Sequence, residues 1–352
     1  MTEKPVALTP LSRRAALGGI GIGFLGAVSR ARAASIETPR FEVIGVRDPQ
    51  LGAQLAIAEQ YGLFKEQGLE VTVRWTQSAA DTLTIMGGGA APVGVGGSFT
   101  QVVFGGQQLP VRTISALADI AETQGFALAP GVKLAHPREL EGKRLAFTQG
   151  NSQVLLLAKL AETFRFDQSK ITLVNMNQSE GVVAAARGDV HGLLGWQPNL
   201  FRLVGLGGSM YCTGGTLYVT GKAEVQPEND RLLYNHSTLM ASQSWIDEKP
   251  NTLAALLRAL VAATRMMSED RPKAMQALQQ VLRIDNDALE VMVAANKYAM
   301  GISPALIASH RFQTQWALNI KRIPSAPSPE SCFTTRIAGM VDPALVTWKP
   351  AT

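Results

Sequence analysis

Residues 41–75 read FEVIGVRDPQLGAQLAIAEQYGLFKEQGLEVTVRW, and their grammar decides the fold. Phe41 to Val46 is a short apolar run of strand length. Leu51 to Tyr61 places Leu51, Leu55 and Ala58 at helical spacing, and Leu69 to Trp75 alternates apolar and polar residues as a half-buried strand does. Strand, helix and strand within 35 residues form an α/β unit.

The pattern continues outward. A short helix over Asp81 to Met86 stops at Gly87-Gly88-Gly89. Strands are expected over Pro92 to Gly96 and Val111 to Leu117, with a helix over Ser98 to Phe104 between them. After a loop-rich stretch from Ala129 to Gly142 the grammar restarts. Arg144 to Phe147, Ile171 to Val174 and Val190 to Trp196 read as strands; Ser152 to Phe164 and Glu180 to Ala186 read as helices. Two units of one grammar imply two lobes with largely parallel sheets. Beyond Ser242 the chain turns helical. Leu253, Leu256, Leu257, Leu260 and Val261 make a scaffold stripe, followed by helices over Arg271 to Leu282 and Asn286 to Met300 and an irregular tail from Ile323 to Pro329.

The start of the chain reads as an address. Leu11 to Ala33 is LSRRAALGGIGIGFLGAVSRARA: a paired-arginine region at Arg13-Arg14, an uncharged apolar core from Ala15 to Val28, and a small-residue exit at Ala31-Arg32-Ala33. The core is too short to cross a bilayer of roughly 30 Å. Together these features define a twin-arginine export signal over 1–33 and a periplasmic destination. Gly21, Gly23 and Gly26 match a dinucleotide fingerprint formally, but no strand precedes them, so the match is accidental.

Composition narrows the function. The 352 residues carry 33 Lys and Arg against 28 Asp and Glu, a net charge of +5. Five of those cations lie in 1–33; without that segment 28 basic and 27 acidic residues remain, so the basic balance reports on export. No basic stripe interleaved with aromatics is present, and a nucleic-acid partner is not expected. The four histidines share no metal-ligand spacing, no phosphate-cradling GxxxxGK[ST] loop occurs, and no GxSxG elbow surrounds Ser98. Neither metal nor cofactor is expected. Cys212 and Cys332 are expected to be unpaired and packed. What remains is an exported two-lobed α/β chain suited to binding a ligand at the carboxyl ends of its strands.

At this level the residues resemble a known family. Ala58-Glu59-Gln60-Tyr61-Gly62-Leu63-Phe64-Lys65-Glu66-Gln67-Gly68-Leu69-Glu70-Val71 resembles the signature of nitrate/sulfonate/taurine periplasmic binding proteins, whose fold thiamine-pyrimidine-synthase-like proteins share. Glu139 to Ala146, Ala185 to Val190 and Gly195-Trp196-Gln197-Pro198 follow in the family's order, so the likeness spans about Phe41 to Met300. The resemblance implies a type II-like, two-lobed binding protein with a mixed sheet in each lobe and a ligand cleft between them. Lobe I would comprise 34–128 and 237–352, and lobe II 129–236. It implies a monomer that hands a small polar or anionic ligand (sulfonate, nitrate, taurine, or an aromatic or pyrimidine-like molecule) to the permease of an ABC importer.

The same resemblance places contacts on the loops that follow strands. In lobe I these are Arg47, Asp48, Gln77, Ser78, Gly97, Ser98 and Phe99. In lobe II they are Gln149, Gly150, Asn151, Ser152, Asn177, Gln178 and Trp196. Ser78, Ser98, Asn151 and Asn177 are equally good helix N-caps. Two departures stand out: His191 where the family has Asp, and a long stretch from Tyr211 to Asn235. Few fixed cations besides Arg47 face the expected cleft, which favours a monoanion or a neutral ligand. A second reading is a desulfinase-like or pyrimidine-synthase-like enzyme on this scaffold. It would need Cys212, His236 or both as reactive groups, whereas the receptor reading makes the chain no enzyme.

Overall fold

The computed structural model describes residues 35–219 and 221–350, and the export signal expected over 1–33 lies outside them. The first lobe opens with β1 (Arg40–Val46), α1 (Pro49–Gln60), the short α2 (Leu63–Glu66) and β2 (Glu70–Thr76). β1 and β2 are parallel, with Arg40 opposite Glu70 and Val46 opposite Thr76. α3 (Ala79–Gly87), β3 (Val93–Gly97), α4 (Ser98–Gly106) and β4 (Val111–Asp119) follow.

The chain then crosses to a second sheet. β5 (Gln124–Leu128) already belongs to it, ahead of the Ala129 boundary expected from sequence. Its five residues are all buried between β8 and β9, so it shows no polar alternation that would mark it as a separate strand. β6 (Arg144–Phe147), α5 (Gln153–Phe164), β7 (Thr172–Asn175), α6 (Gln178–Arg187), β8 (Gly192–Trp196) and α7 (Asn199–Gly205) restate the α/β grammar. β9 (Ser209–Thr213), β10 (Thr216–Leu217) and β11 (Glu224–Val225) finish the sheet within the stretch that departs from the family pattern.

β12 (His236–Ser242) returns to the first sheet and inserts antiparallel between β3 and β4. The orders are therefore β2-β1-β3-β12-β4 and β11-β10-β9-β5-β8-β6-β7. Both sheets are mixed rather than largely parallel, because β12 in the first and β5 and β10 in the second run against their neighbours.

The C-terminal helices are α8 (Gln243–Glu248), α9 (Pro250–Glu269), α10 (Arg271–Leu282), α11 (Asn286–Ala295), α12 (Pro304–Asn319), α13 (Pro329–Cys332) and α14 (Arg336–Val341). Leu253, Leu256, Leu257 and Leu260 of α9 are fully buried against the first lobe's core, while Val261 sits half-buried at its edge. The helix expected to reach Met300 ends at Ala295, where Asn296 adopts extended backbone. α12 was not separately anticipated: it packs on α4 and α5 together, so Ala317 and Ile323 join the second lobe's core.

Candidate functional site

Local chemistry at the helix starts sorts the expected contacts. α1 begins earlier than the apolar spacing suggests because Asp48 caps it, accepting the Leu51 amide at 2.8 Å. α3 is opened by a capping box in which the Asp81 carboxylate takes the amides of Gln77 and Ser78, both at 3.0 Å. α6 starts the same way, with Asn177 accepting the Glu180 amide at 2.9 Å. Those starts are satisfied internally. α4 and α5 differ: Gly97 and Ser152 stand at their N-caps and neither supplies a side-chain cap.

The two uncapped starts meet at the centre of the molecule. A cavity of about 30 Å³ lies between the lobes, lined by Asp48, Ser78, Gly97, Phe99, Thr100, Gln124, Gly150, Asn151, Ser152, Gln153, Trp196 and Asn235. An outer cleft of about 780 Å³ shares Asp48, Ser78 and Trp196 with it and adds Arg47, Gln77, Gln149, Asn177, Gln178, Asn199 and Arg202. The site sits at the carboxyl ends of β1, β2, β3, β6, β7 and β8, where an open α/β sheet places ligands.

A chain of neutral amides and hydroxyls crosses the cavity floor. Ser98 Oγ donates to Asn235 Oδ1 at 3.1 Å, and Asn235 Nδ2 donates to Ser152 Oγ at 3.0 Å. Ser152 Oγ in turn donates to Gln124 Oε1 at 3.2 Å, an oxygen that also accepts from Gln153 Nε2. Gln313 of α12 braces the chain from behind, donating to Tyr234 O at 2.8 Å and to Asn235 Oδ1 at 3.2 Å. At the opposite wall Gln50 Nε2 donates to Gln197 O at 2.8 Å, a buried contact from one lobe to the other.

Of the contacts expected from sequence, only Ser98 lines neither the cavity nor the cleft. It is fully buried, holding Asn235 and accepting the His236 amide at 3.1 Å. Arg47 reaches the outer cleft, but its guanidinium donates to Val281 O at 2.7 Å and stacks over Trp75. Gln178 is held by donation to Thr148 Oγ1 and Leu194 O, and Gly195 gives it room: a Cβ there would fall 2.0 Å from Gln178 Oε1. Gln124, Gln153, Thr100 and Asn235 were missed. Polar residues at the two crossings, Thr123-Gln124 and Asn235-His236-Ser237, are the sequence signal that points to them.

Asp48 is the electrostatic centre of the site. It is 3% exposed, and burial pushes its carboxyl up to about 7 although the capping amides pull the other way. At neutral pH a large share of it is therefore protonated and able to donate. No Lys or Arg lines the inner cavity.

Further buried charged groups lie beside the two crossings. Arg231 donates to Asp119 at 3.0 Å, and burial lowers the neighbouring His236 against the raising effect of Asp119. His236 and Cys212 line neither the cavity nor the cleft. Cys212 is fully buried in β9, with burial pushing its thiol up to about 12, so a reactive thiolate there is disfavoured. Both cysteines are free and buried. His191, at the departing position, accepts the Arg144 amide through Nδ1 and anchors β6. Among the described residues no cluster of three or more His, Cys, Asp or Glu is arranged to hold a metal, and no helix is long and apolar enough to cross a membrane.

Two mixed sheets joined by two crossings, with a polar cavity at their facing strand ends, define a two-lobed periplasmic-binding-protein fold. The chain belongs to the NMT1/THI5-like family, whose model matches residues 52–274. No curated protein matches it by sequence. In structure it is similar to the alkanesulfonate-binding protein SsuA of Xanthomonas axonopodis pv. citri bound to MOPS. Identity is 14%, coverage 85% of this chain and 100% of that one, and the TM-score 0.71. The periplasmic nitrate-binding protein NrtA of Synechocystis PCC 6803 matches at 13% identity over 88% and 90%, with a TM-score of 0.68. A mutant of the enzyme DszB in complex with biphenyl-2-sulfinic acid matches at 13% over 86% and 99%, with a TM-score of 0.64. At such identities the likeness is one of fold.

Proposed function

We propose that the chain is a periplasmic solute receptor, exported through its twin-arginine signal, that delivers a small neutral or singly charged ligand to the permease of an ABC importer. The carrying observation is the amide-lined cavity itself, to which both lobes and the returning Asn235 contribute. Uncapped starts of α4 and α5 supply free N–H groups and partial positive charge to a polar or anionic ligand. The absence of Lys and Arg from the inner lining argues against a doubly charged anion. Nitrate- and sulfonate-binding proteins among its structural neighbours agree with that class.

In this reading the lobes comprise 35–123 with 236–350, and 124–235, hinged at the two crossings. The receptor works as a monomer. Ligand enters by hinge opening and is held by closure of the lobes over the cavity and its outer cleft. The experiment is a thermal-shift screen of the mature protein against nitrate, taurine, alkane- and arylsulfonates, pyrimidines and aromatic carboxylates. A true ligand raises the melting temperature with concentration. A broad library without a single stabilising compound overturns the reading.

A further inference from the structure

Asp48 is the only ionisable side chain in the lining of the inner cavity, and it lines the outer cleft as well. It therefore stands where the two hollows join. The residue is buried, yet its carboxyl is only partly used. Oδ1 accepts the Leu51 amide at 2.8 Å, and among the described residues the second oxygen has no side-chain partner.

The charges around it leave that oxygen alone. Arg47, next to it on the loop after β1, donates to Val281 O at 2.7 Å and lies over Trp75. Behind α1, Tyr298 donates to Pro49 O at 3.1 Å, and burial pushes its phenol above the usual value, so it stays neutral. Arg271 of α10 acts on Tyr298 rather than on Asp48. In the outer cleft Asp81 of α3 holds the amides of Gln77 and Ser78, while Arg202 of α7 and Arg283 beyond α10 are exposed. No charged neighbour is among the causes of the Asp48 shift: burial raises it, and the Leu51 and Gln50 amides lower it.

We propose that Asp48 is a proton-gated specificity residue: protonated, it donates from its second oxygen to an acceptor oxygen of the ligand. The assignment rests on the solute-receptor reading and deepens it. Lobe closure over an ionised Asp48 would bury an unpaired negative charge beside that acceptor, so the ionised form is selected against. Capture then draws a proton from solvent wherever Asp48 was ionised, and release returns it. The gate favours ligands that offer an acceptor at this point and holds them more firmly at low pH than at high pH.

Calorimetric titration of the mature protein with sodium nitrate and with sodium ethanesulfonate tests this between pH 5 and pH 9. Buffers of different ionisation enthalpy count the protons exchanged. Both anions derive from strong acids and do not titrate in that range, so every proton counted belongs to the protein. With the carboxyl titrating at about 7, affinity should be level below about pH 6 and fall about tenfold per pH unit above about pH 8. Uptake should be about half a proton at pH 7 and approach one at pH 9. Asp48→Asn presents an amide donor in place of the acid, so its affinity should be independent of pH and its proton count zero. A urea titration reports whether the variant is folded; if it is not, the wild-type proton count decides alone. Proton release on binding, a pH-independent wild type, or a pH slope that survives in folded Asp48→Asn overturns the gate. If neither anion binds at any pH while another compound stabilises the protein, the gate fails and the receptor reading stands; if nothing binds at all, both fail.

Discussion

Asn235 donates its side-chain amide to Ser152 Oγ at 3.0 Å, although 83 residues separate them. With Ser98 donating to the other end of the same amide, one side chain joins the start of α4 in one lobe to the start of α5 in the other. The residue sits at the return crossing, so the crossing and the cavity floor share one side chain.

That arrangement makes Asn235 expensive to lose. Asn235→Leu leaves Ser98, Ser152 and the Gln313 amide short of partners in a buried setting. The expected destabilisation is about 2–4 kcal/mol in urea denaturation, with ligand binding abolished. Wild-type stability in the variant would disprove the role of the network.

Asp48 carries a pH signature. Its folded-state carboxyl titrates near 7, against 3.8 for the free group, so the native state holds the proton more tightly than the unfolded chain. Stability from this group is full below about pH 4 and is lost as pH rises through about 7, by up to about 4 kcal/mol. Asp48→Asn keeps an oxygen to cap α1 and cannot ionise, so its stability should be flat across that window. Denaturation curves at pH 5 and pH 8 for both proteins check the slope. Parallel behaviour of the two would mean that Asp48 ionises freely.

Closure should depend on Gln50. Its amide bond to Gln197 O crosses between lobes, and its own Oε1 has no partner, so Gln50→Leu removes the tie and an unsatisfied atom together. The unliganded variant is expected to have a larger radius of gyration by small-angle scattering. Ligand affinity should fall roughly two- to tenfold, the value of one buried hydrogen bond. An unchanged radius and affinity would show that Gln50 has no part in closure.

The thiols should be silent in the native protein. Burial raises both Cys212 and Cys332, and neither is exposed. Iodoacetamide at pH 8 should label them only as fast as the protein unfolds, with full labelling in denaturant. Rapid native labelling of Cys212 would revive the enzyme reading.

Glu37 fastens the described N-terminal segment to α9. Burial raises its carboxyl, but the amides of Asn251 and Thr252 and the Thr252 hydroxyl lower it further. Glu37→Ala should cost about 1–2 kcal/mol at pH 7, the worth of an N-terminal anion cap. Because the folded carboxyl titrates below its usual value, the difference between the two proteins is present above about pH 4.5 and vanishes as pH falls further. Thermal melts at pH 7 and pH 3 would reveal it.

Much of the molecule is legible one segment at a time. The alternation from Phe41 to Trp75, its restart at Arg144 and the leucine stripe of α9 depend on periodicities that a few neighbouring residues specify. Ser78 and Asn177 announce themselves as helix starts for the same reason, a cap bonded within three residues, whereas Ser98 and Asn151 do not cap, since Gly97 and Ser152 take the N-cap positions of α4 and α5. The family likeness extended this local reading to an ordered set of loops.

What local pattern could not decide was which polar groups are consumed and which are left over. Arg47 reaches the outer cleft, but one of its guanidinium N–H groups is held by Val281, 234 residues away, and the group stacks over Trp75. Ser98 looked like a contact until Asn235 and His236 claimed its hydroxyl. Gln124 and Asn235 gained their places only because the two crossings bring remote segments together. A hydrogen bond satisfies its donor once, and burial withholds water as a substitute. Whether a polar side chain faces a ligand is thus settled by the partners that tertiary folding delivers to it.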